Sequence, residues 1–578
     1  MTMSHDTLFA QRHSAAHLLA LATLELFPGT QLGTGPVTDN GFYYDMKTPT
    51  PLTDADLKKI EKLMKKRAAQ NLDFVREELS LEEARALFRD LDQPYKLELI
   101  DKIAATGATT VSVYRTGEHF VDLCEGPHVA NTKDIPRDAL KLIRLGGAYW
   151  QADENNDQLT RVTGVLFSTK EELDAYQQML RESAKRDHRK LGKELDLFTF
   201  SELVGPGLPL WTPKGTLVRQ LIDEYVWELR RARGYQRVTI PHITKKELYE
   251  TSGHWQKFAD ELFHVHGHED REYALKPMNC PHHTQIFART PVSYRNMPQR
   301  YAETTMVYRD EQSGELGGLT RVLSITQDDA HVFCRPSQLR EEFFAVWDMI
   351  DTFYTTFGFT FKTIRLSFHD PAQMDKYLGT PELWHTAEDT LRAIARERGV
   401  DAEEAPGEAA LYGPKVDFIA TDSLGRTHQV ATIQLDMNMP ERFDLTCIDE
   451  NGDKERVVMI HCAIAGSLER FIGVLLEHTA GKLPLRFAPV QVAVLPISEK
   501  FADYAADVTR TLRDAGYRTE LRGESETLSK RIRTTQKEKI PYMLVVGEKE
   551  QAEGTVAVRS RDEGDMGVLA LSEFLAQL

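Results

Sequence analysis

The chain has 578 residues, and at roughly 100 to 200 residues per domain that length fits about three to five domains and excludes a lone small binding module. Hydrophobic residues make up 41%, with 36 Gly and 25 Pro, ordinary usage that excludes a disordered chain. The net charge of −17 disfavours indiscriminate adsorption to DNA or anionic membranes, so any polyanion must meet a local basic patch.

Five cysteines, odd in number, widely spaced and without a C-x-x-C pair, argue against a disulfide framework and for a reducing, cytoplasmic setting. The run Leu18 to Leu24 is the one stretch that imitates a signal peptide. It lacks a basic leader and a cleavage site and predicts an amphipathic core helix instead. No run approaches the roughly 20 apolar residues of a membrane span.

In chain order, residues 1–168 read as mixed α/β. Turns are expected at Pro28-Gly29, Gly33 to Pro36 and Asp39 to Gly41, with a strand beginning at Phe42-Tyr43-Tyr44. This segment carries His13 and His17 at i and i+4, on one helix face, and later Cys124 and His128. One H-x-x-x-H alone reads more readily as a packed or solvated helix face. The second His/Cys pair favours a metal site or a hydrolytic pocket, although no Glu follows His13 to act as a zincin base.

Residues 169–200 predict a single charged connecting helix with a basic face. A Gly/Pro-dense segment, Gly205 to Pro209, opens the largest block, residues 201–488. There Cys280, His331 and His461 supply one thiol and two imidazoles, a set that suits a zinc site with an open position. Scattered core residues are the competing reading. Arg309 and Arg470 can each grip phosphate in a bidentate fork. Residues 489–578 open on the buried-strand pattern Val490 to Leu495 and read as a small α/β domain. Their basic run Lys530, Arg531, Arg533, Lys537 and Lys539 is opposed only by Glu538.

The segment Gly234 to Pro241, then Tyr308 to Glu311, then Gly466 to Phe471 resembles motifs 1, 2 and 3 of class II aminoacyl-tRNA synthetases. The strings K-P-M-N-C-P, T-Q-D-D-A-H and M-I-H around Cys280, His331 and His461 are similar to the threonyl-tRNA synthetase family in particular, and the likeness covers nearly the whole chain. It implies α/β and α+β multidomain architecture: an α+β editing domain (1–168), a linker helix (169–200), a class II antiparallel-sheet catalytic core with zinc (201–488), and a C-terminal α/β anticodon-binding domain (489–578).

The resemblance implies an activity as well: threonyl-adenylate formation from ATP, transfer to tRNA(Thr), and hydrolysis of mischarged Ser-tRNA(Thr). One missing methyl gives only about 1 to 3 kcal/mol of discrimination, so serine demands a second sieve. Carried residue by residue, it gives Arg309, Arg470, Glu311 and Gln429 catalytic roles, with Arg309 on the α-phosphate and Arg470 on the γ-phosphate. Arg321, Gln327, Asp329, Tyr412, Lys415, Gln434 and Ser467 would line the substrate and ATP pocket, Asp329 accepting from the threonine hydroxyl. Cys280, His331 and His461 would hold one Zn2+ per subunit, and Mg2+ would accompany ATP. His13, His17, Tyr44, Lys96, Asp122, Cys124 and His128 would line an editing pocket that works without metal. Arg533, Glu550 and Arg559 would contact the anticodon. L-threonine, ATP and tRNA(Thr) are the expected ligands, with a homodimer and no membrane.

The ubiquitin-like N-terminal domain usual in bacterial relatives is expected to be absent. His282 stands where relatives commonly have Gly, Cys462 where Arg is common, and the loop Gly523 to Ser529 is longer than usual. The missing domain and the altered loop motivate one alternative, a synthetase-like paralogue that senses threonine or binds RNA; a stand-alone metal-dependent hydrolase built on the first domain is a third reading.

Overall fold

The computed structural model describes residues 5–118, 120–153, 155–523 and 526–578. The expected loop from Gly523 to Ser529 includes Glu524 and Ser525, which lie outside them. The chain divides into two compact units, Met1–Arg181 and Glu182–Leu578.

In the first unit a five-stranded antiparallel sheet places Gly41–Lys47 against Gln158–Leu166, which in turn pairs with Leu140–Tyr149. The strand expected at Phe42 to Tyr44 is there. The helix His5–Leu26 packs on this sheet. Ala15 to Ala22 are buried on every side, His17 included, so the expected amphipathic helix is instead apolar all round along its middle turns. A three-stranded antiparallel sheet, Phe74–Ser80, Thr110–Thr116 and Phe120–Leu123, carries Asp122 to the edge of the same core.

The connecting helix predicted from residue 169 is two helices, Lys170–Arg186 and His188–Glu194. Asp187 breaks it: its carboxylate accepts from the Arg189 N–H at 2.8 Å and caps the second helix, the local alternative that Asp side chains offer the backbone. His188, Leu191 and Gly192 are then buried, so the second helix does not present a wholly solvated face.

The second unit is built on an eight-stranded sheet whose six central strands are antiparallel. Their order is Gln299–Tyr308, Ser324–Cys334, Val458–Ala463, Thr427–Asp436, Lys415–Thr421 and Thr360–Phe368. Helices Pro213–Ala232, Leu339–Thr356 and Leu468–His478 bury apolar faces on it, in the largest core of the molecule. A separate five-stranded sheet, led by Val492–Pro496 and Tyr542–Val546, forms the C-terminal part with its own core, as the sequence predicts.

Candidate active sites

Sheet register brings the central constellation together. His331 and His461 lie on adjacent antiparallel strands as directly opposed residues, and Gln434 opposes His461 on its other side. Cys280 opens the helix Cys280–Ala288, which packs on the His331 strand. Ligand atoms of the three lie within 4.8 Å of one another, and all three are buried. His461 donates from Nε2 to the Asp436 carboxylate at 2.8 Å and stacks on Tyr412, while His331 Nδ1 meets His283 Nδ1 at 2.7 Å. The remaining nitrogens, His331 Nε2 and His461 Nδ1, face each other at 3.1 Å.

This donor set fits zinc. Burial pushes the Cys280 thiol well above its ordinary value and His331 well below, so the imidazole is neutral and ready to ligate while the thiolate lacks a neighbouring cation. Asp436 bonds His461 and His283 bonds His331, the placement that outer partners of a metal-binding imidazole take.

The trio opens on a cavity of about 320 Å3. Arg309, Gln327, Asp329 and Tyr412 line it, as do Gln429, Gln434, Ser467 and Arg470. Asp329 accepts from Asn279 Nδ2 at 2.9 Å, which fixes its carboxylate. Tyr412 donates to Gln434 at 2.6 Å. Gln429 and Lys415 both bond Asp417, so Lys415 reaches the wall through a shared carboxylate. Arg321 and Glu311 pair with each other at 2.6 Å beside the cavity without lining it. Arg470 donates from Nε to the Thr320 carbonyl at 3.1 Å. Burial and two neighbouring guanidiniums, Arg309 and Arg321, hold its pKa below the usual arginine range. Three convergent arginines make the electrostatics of an anion site.

Sequence reasoning missed several residues here. Asp436 sits 25 positions from its histidine, and its role follows from strand pairing alone. His254 is fully buried with Nε2 at 3.9 Å from Cys280 Sγ, its pKa pushed down to about 3 by burial. The buried pair Arg230 and Asp328, 2.5 Å apart, ties the helix Pro213–Ala232 to the strand that carries Asp329. Asp328 also accepts the Ile464 and Ala465 N–H groups ahead of Ser467.

The first unit gathers all seven of its predicted residues. Ligand atoms of His13, His17, Cys124 and His128 lie within 4.8 Å of one another, a spacing that would also admit an ion. Cys124 Sγ is 3.3 Å from His13 Nε2 and 3.2 Å from His128 Nε2. Behind them Lys96 Nζ sits 2.5 Å from Asp122 and 3.0 Å from the Tyr44 hydroxyl, which donates to Asp122. His17 approaches the same carboxylate at 3.6 Å. Burial holds the imidazoles of His13, His17 and His128 below their ordinary values and raises the Cys124 thiol to about 11, so the pocket mouth is neutral over a buried charged floor.

The C-terminal basic run is smaller than predicted. Arg531 is buried and donates to the Arg522 carbonyl at 2.7 Å, and Lys539 donates to the Ala480 carbonyl, so both serve the fold. Lys530, Arg533 and Lys537 remain exposed, Lys530 paired with Glu526. Arg533 lies on the helix Leu528–Lys537. Glu550 lies in the first turn of Glu548–Glu553, accepting the Gly547 N–H, and Arg559 is exposed on Thr555–Ser560.

Among the described residues no helix is long and apolar enough to cross a membrane. Family models match three stretches of the chain. The class II core domain of the G, H, P, S and T synthetases matches residues 263–479, an anticodon-binding domain 491–578, and the second additional domain of threonyl and alanyl synthetases 111–163. The chain is 47% identical to a threonine–tRNA ligase of Porphyromonas gingivalis over 97% of its own length and 86% of that protein. It is 45% identical to the threonine–tRNA ligase of Synechocystis sp. over 100% of its own length and 96% of that protein. A solved structure, the RNA binding domain of threonyl-tRNA synthetase from Cryptosporidium parvum, superposes with a TM-score of 0.64 at 40% identity, covering 68% of this chain and 97% of that one. The chain belongs to the threonyl-tRNA synthetase family of class II aminoacyl-tRNA synthetases.

Proposed function

We propose that the chain is a threonine–tRNA ligase that forms threonyl-adenylate from ATP, transfers threonine to tRNA(Thr) and hydrolyses Ser-tRNA(Thr) at a second site. The observation that carries this reading is one cavity lined both by Cys280, His331 and His461 and by Arg309 and Arg470. It joins an amino-acid recognition set to a phosphate-binding set. Cys280, His331 and His461 would hold zinc, which when bound supplies a Lewis-acid position for the substrate's amino and hydroxyl groups.

This chain's residues do the rest. Asp329, held by Asn279, accepts the threonine hydroxyl proton, a partner that isosteric valine cannot satisfy. Arg309 takes the α-phosphate and Arg470 the γ-phosphate of Mg2+-bound ATP, stabilising charge as pyrophosphate leaves. Arg321 and Glu311 order the rim, and Gln327, Tyr412, Gln429, Gln434, Lys415 and Ser467 shape and orient the adenylate pocket. In the first unit, His13, His17, Cys124 and His128 position water at the seryl ester, while Lys96, Tyr44 and Asp122 fix the pocket floor, without metal. Four functional parts follow, at 1–168, 169–200, 201–488 and 489–578. Arg533, Glu550 and Arg559 face the anticodon, and the protein works as a cytoplasmic homodimer.

The alternative of a threonine sensor that does not charge tRNA is not favoured, because both phosphate-gripping arginines line the cavity. The test is aminoacylation of total tRNA by the purified protein with labelled threonine and labelled serine in parallel. Stable Thr-tRNA with no lasting Ser-tRNA is expected. Equal adenylate formation with valine would overturn the recognition argument, and loss of Ser-tRNA hydrolysis on chelation would overturn the metal-free editing site.

A further inference from the structure

Asp187, His188 and Glu477 also bring ligand atoms within 4.8 Å of one another. Both ring nitrogens of His188 are already engaged, however. Nδ1 donates to Glu477 at 2.7 Å, and Nε2 accepts from the Leu319 backbone N–H at 3.0 Å. This pattern requires the neutral tautomer with its proton on Nδ1. Glu477 is itself fixed, accepting the His188 backbone N–H at 3.1 Å and an Arg426 N–H at 2.6 Å.

The ring is wedged between two elements of the ATP side of the cavity. On one side it rests against Gly473 of the helix Leu468–His478, where an added Cβ would lie 3.6 Å from the ring. On the other lies the turn Gly317 to Arg321, where a Cβ at Gly318 would meet His188 Nε2 at 2.3 Å. That turn is closed by Thr320 N–H donating to the Gly317 carbonyl at 2.9 Å, and its Thr320 carbonyl accepts from Arg470 at 3.1 Å. Arg321, next along, bonds Glu311. Arg470 and Glu477 are seven residues apart on one helix, hence two turns apart on nearly the same face. One end of this face grips the turn directly, and the other grips it through His188.

We propose that His188 is a positioning residue for ATP, which registers the turn Gly317 to Arg321 on the helix that carries Arg470. The proposal rests on the ligase reading above. Its effect falls on ATP rather than on threonine, because the trio that would hold the amino acid, Cys280 at the start of its helix and His331 and His461 on paired strands, lies outside this turn.

Two substitutions separate positioning from bulk packing. His188→Asn keeps a donor near the Nδ1 position for Glu477 and loses the acceptor for Leu319. His188→Gln carries an amide oxygen to about the reach of Nε2. Labelled-ATP binding by equilibrium dialysis and threonine-dependent pyrophosphate exchange are read together on the full chain. His188→Asn is expected to weaken ATP binding and raise KM for ATP about tenfold or more, the effect of orphaning a buried N–H. KM for threonine should stay within about twofold, and His188→Gln should recover most of the ATP affinity. Unchanged ATP binding in the Asn variant, or equal impairment in both variants, overturns the proposal. Should neither variant fold, Gly318→Ala leaves His188 unsubstituted but drives a Cβ against its Nε2 and so displaces the turn from the ring, and unchanged ATP affinity there overturns it too. A wild-type protein that bound ATP without activating threonine would defeat the ligase reading, while the ATP comparison would still decide the role of His188.

Discussion

His461 and Asp436 form a 2.8 Å hydrogen bond that turns the other imidazole nitrogen toward His331. The Asp436 Oδ1 atom separately accepts the Asn438 and Met439 N–H groups, so Asp436→Asn can keep those bonds while placing an amide against His461. We expect the variant to fold with an unchanged melting temperature and to bind zinc about 10- to 100-fold more weakly. Zinc content after dialysis against a graded chelator checks this, and wild-type retention would refute the role of Asp436.

Arg309 should not tolerate lysine. A bidentate, planar fork cannot be replaced by a point charge where phosphate geometry matters. Arg309→Lys is expected to reduce threonine-dependent pyrophosphate exchange by about 100-fold or more, with Ser-tRNA hydrolysis unchanged. The two activities are measured on one preparation, and parallel loss of both would indicate misfolding instead.

In the first unit Lys96 is the cation nearest the buried Asp122 carboxylate. Lys96→Met should abolish Ser-tRNA hydrolysis by about 100-fold or more and leave threonine activation intact. Serine-charged tRNA that persists in the variant and disappears with wild type is the expected readout. Preserved hydrolysis would remove Lys96 from the editing site.

The Cys124 thiol, raised to about 11 by burial, is nearly all protonated at neutral pH. Its alkylation, followed by mass spectrometry of the Cys124 peptide, should quicken about tenfold per pH unit between pH 7 and 10. The sign for stability follows from the same direction. The fold favours the neutral thiol, so that contribution is intact below about pH 8.5, the free thiol value, and is lost as pH rises toward the folded value. Rapid alkylation at pH 7 would contradict the environment described.

Arg230→Met strands the fully buried Asp328 carboxylate and should cost about 3 to 5 kcal/mol of stability in the second unit. Adding Asp328→Asn removes the charge while keeping an oxygen for the Ile464 and Ala465 N–H groups, so the double variant should regain much of that loss. Urea midpoints of the wild type, the Arg230→Met and Asp328→Asn single variants and the double variant decide it, and additive losses would show the pair is not coupled.

The sequence made the sites legible where several chemically distinctive residues fall close together, as at Cys280 to His283 or Cys124 to His128. What stayed hidden depends on register and direction. Asp436 is silent in sequence because its meaning lies in the strand beside it. Arg531 and Lys539 count as basic in any composition, yet their side chains turn inward to backbone carbonyls. The break at Asp187 fell inside a run of charged helix formers, where one capping carboxylate outweighed the surrounding propensity.

His331 and His461 are 130 residues apart and meet only when their strands pair. Whatever ion the trio accepts therefore has no nucleating part in folding, because loop closure over that distance must come first. During synthesis His331 leaves the ribosome long before its partner exists. Metal capture by the trio would then be a post-folding event whose rate should depend on access to the finished cavity, and refolding should proceed at the same speed with or without the ion.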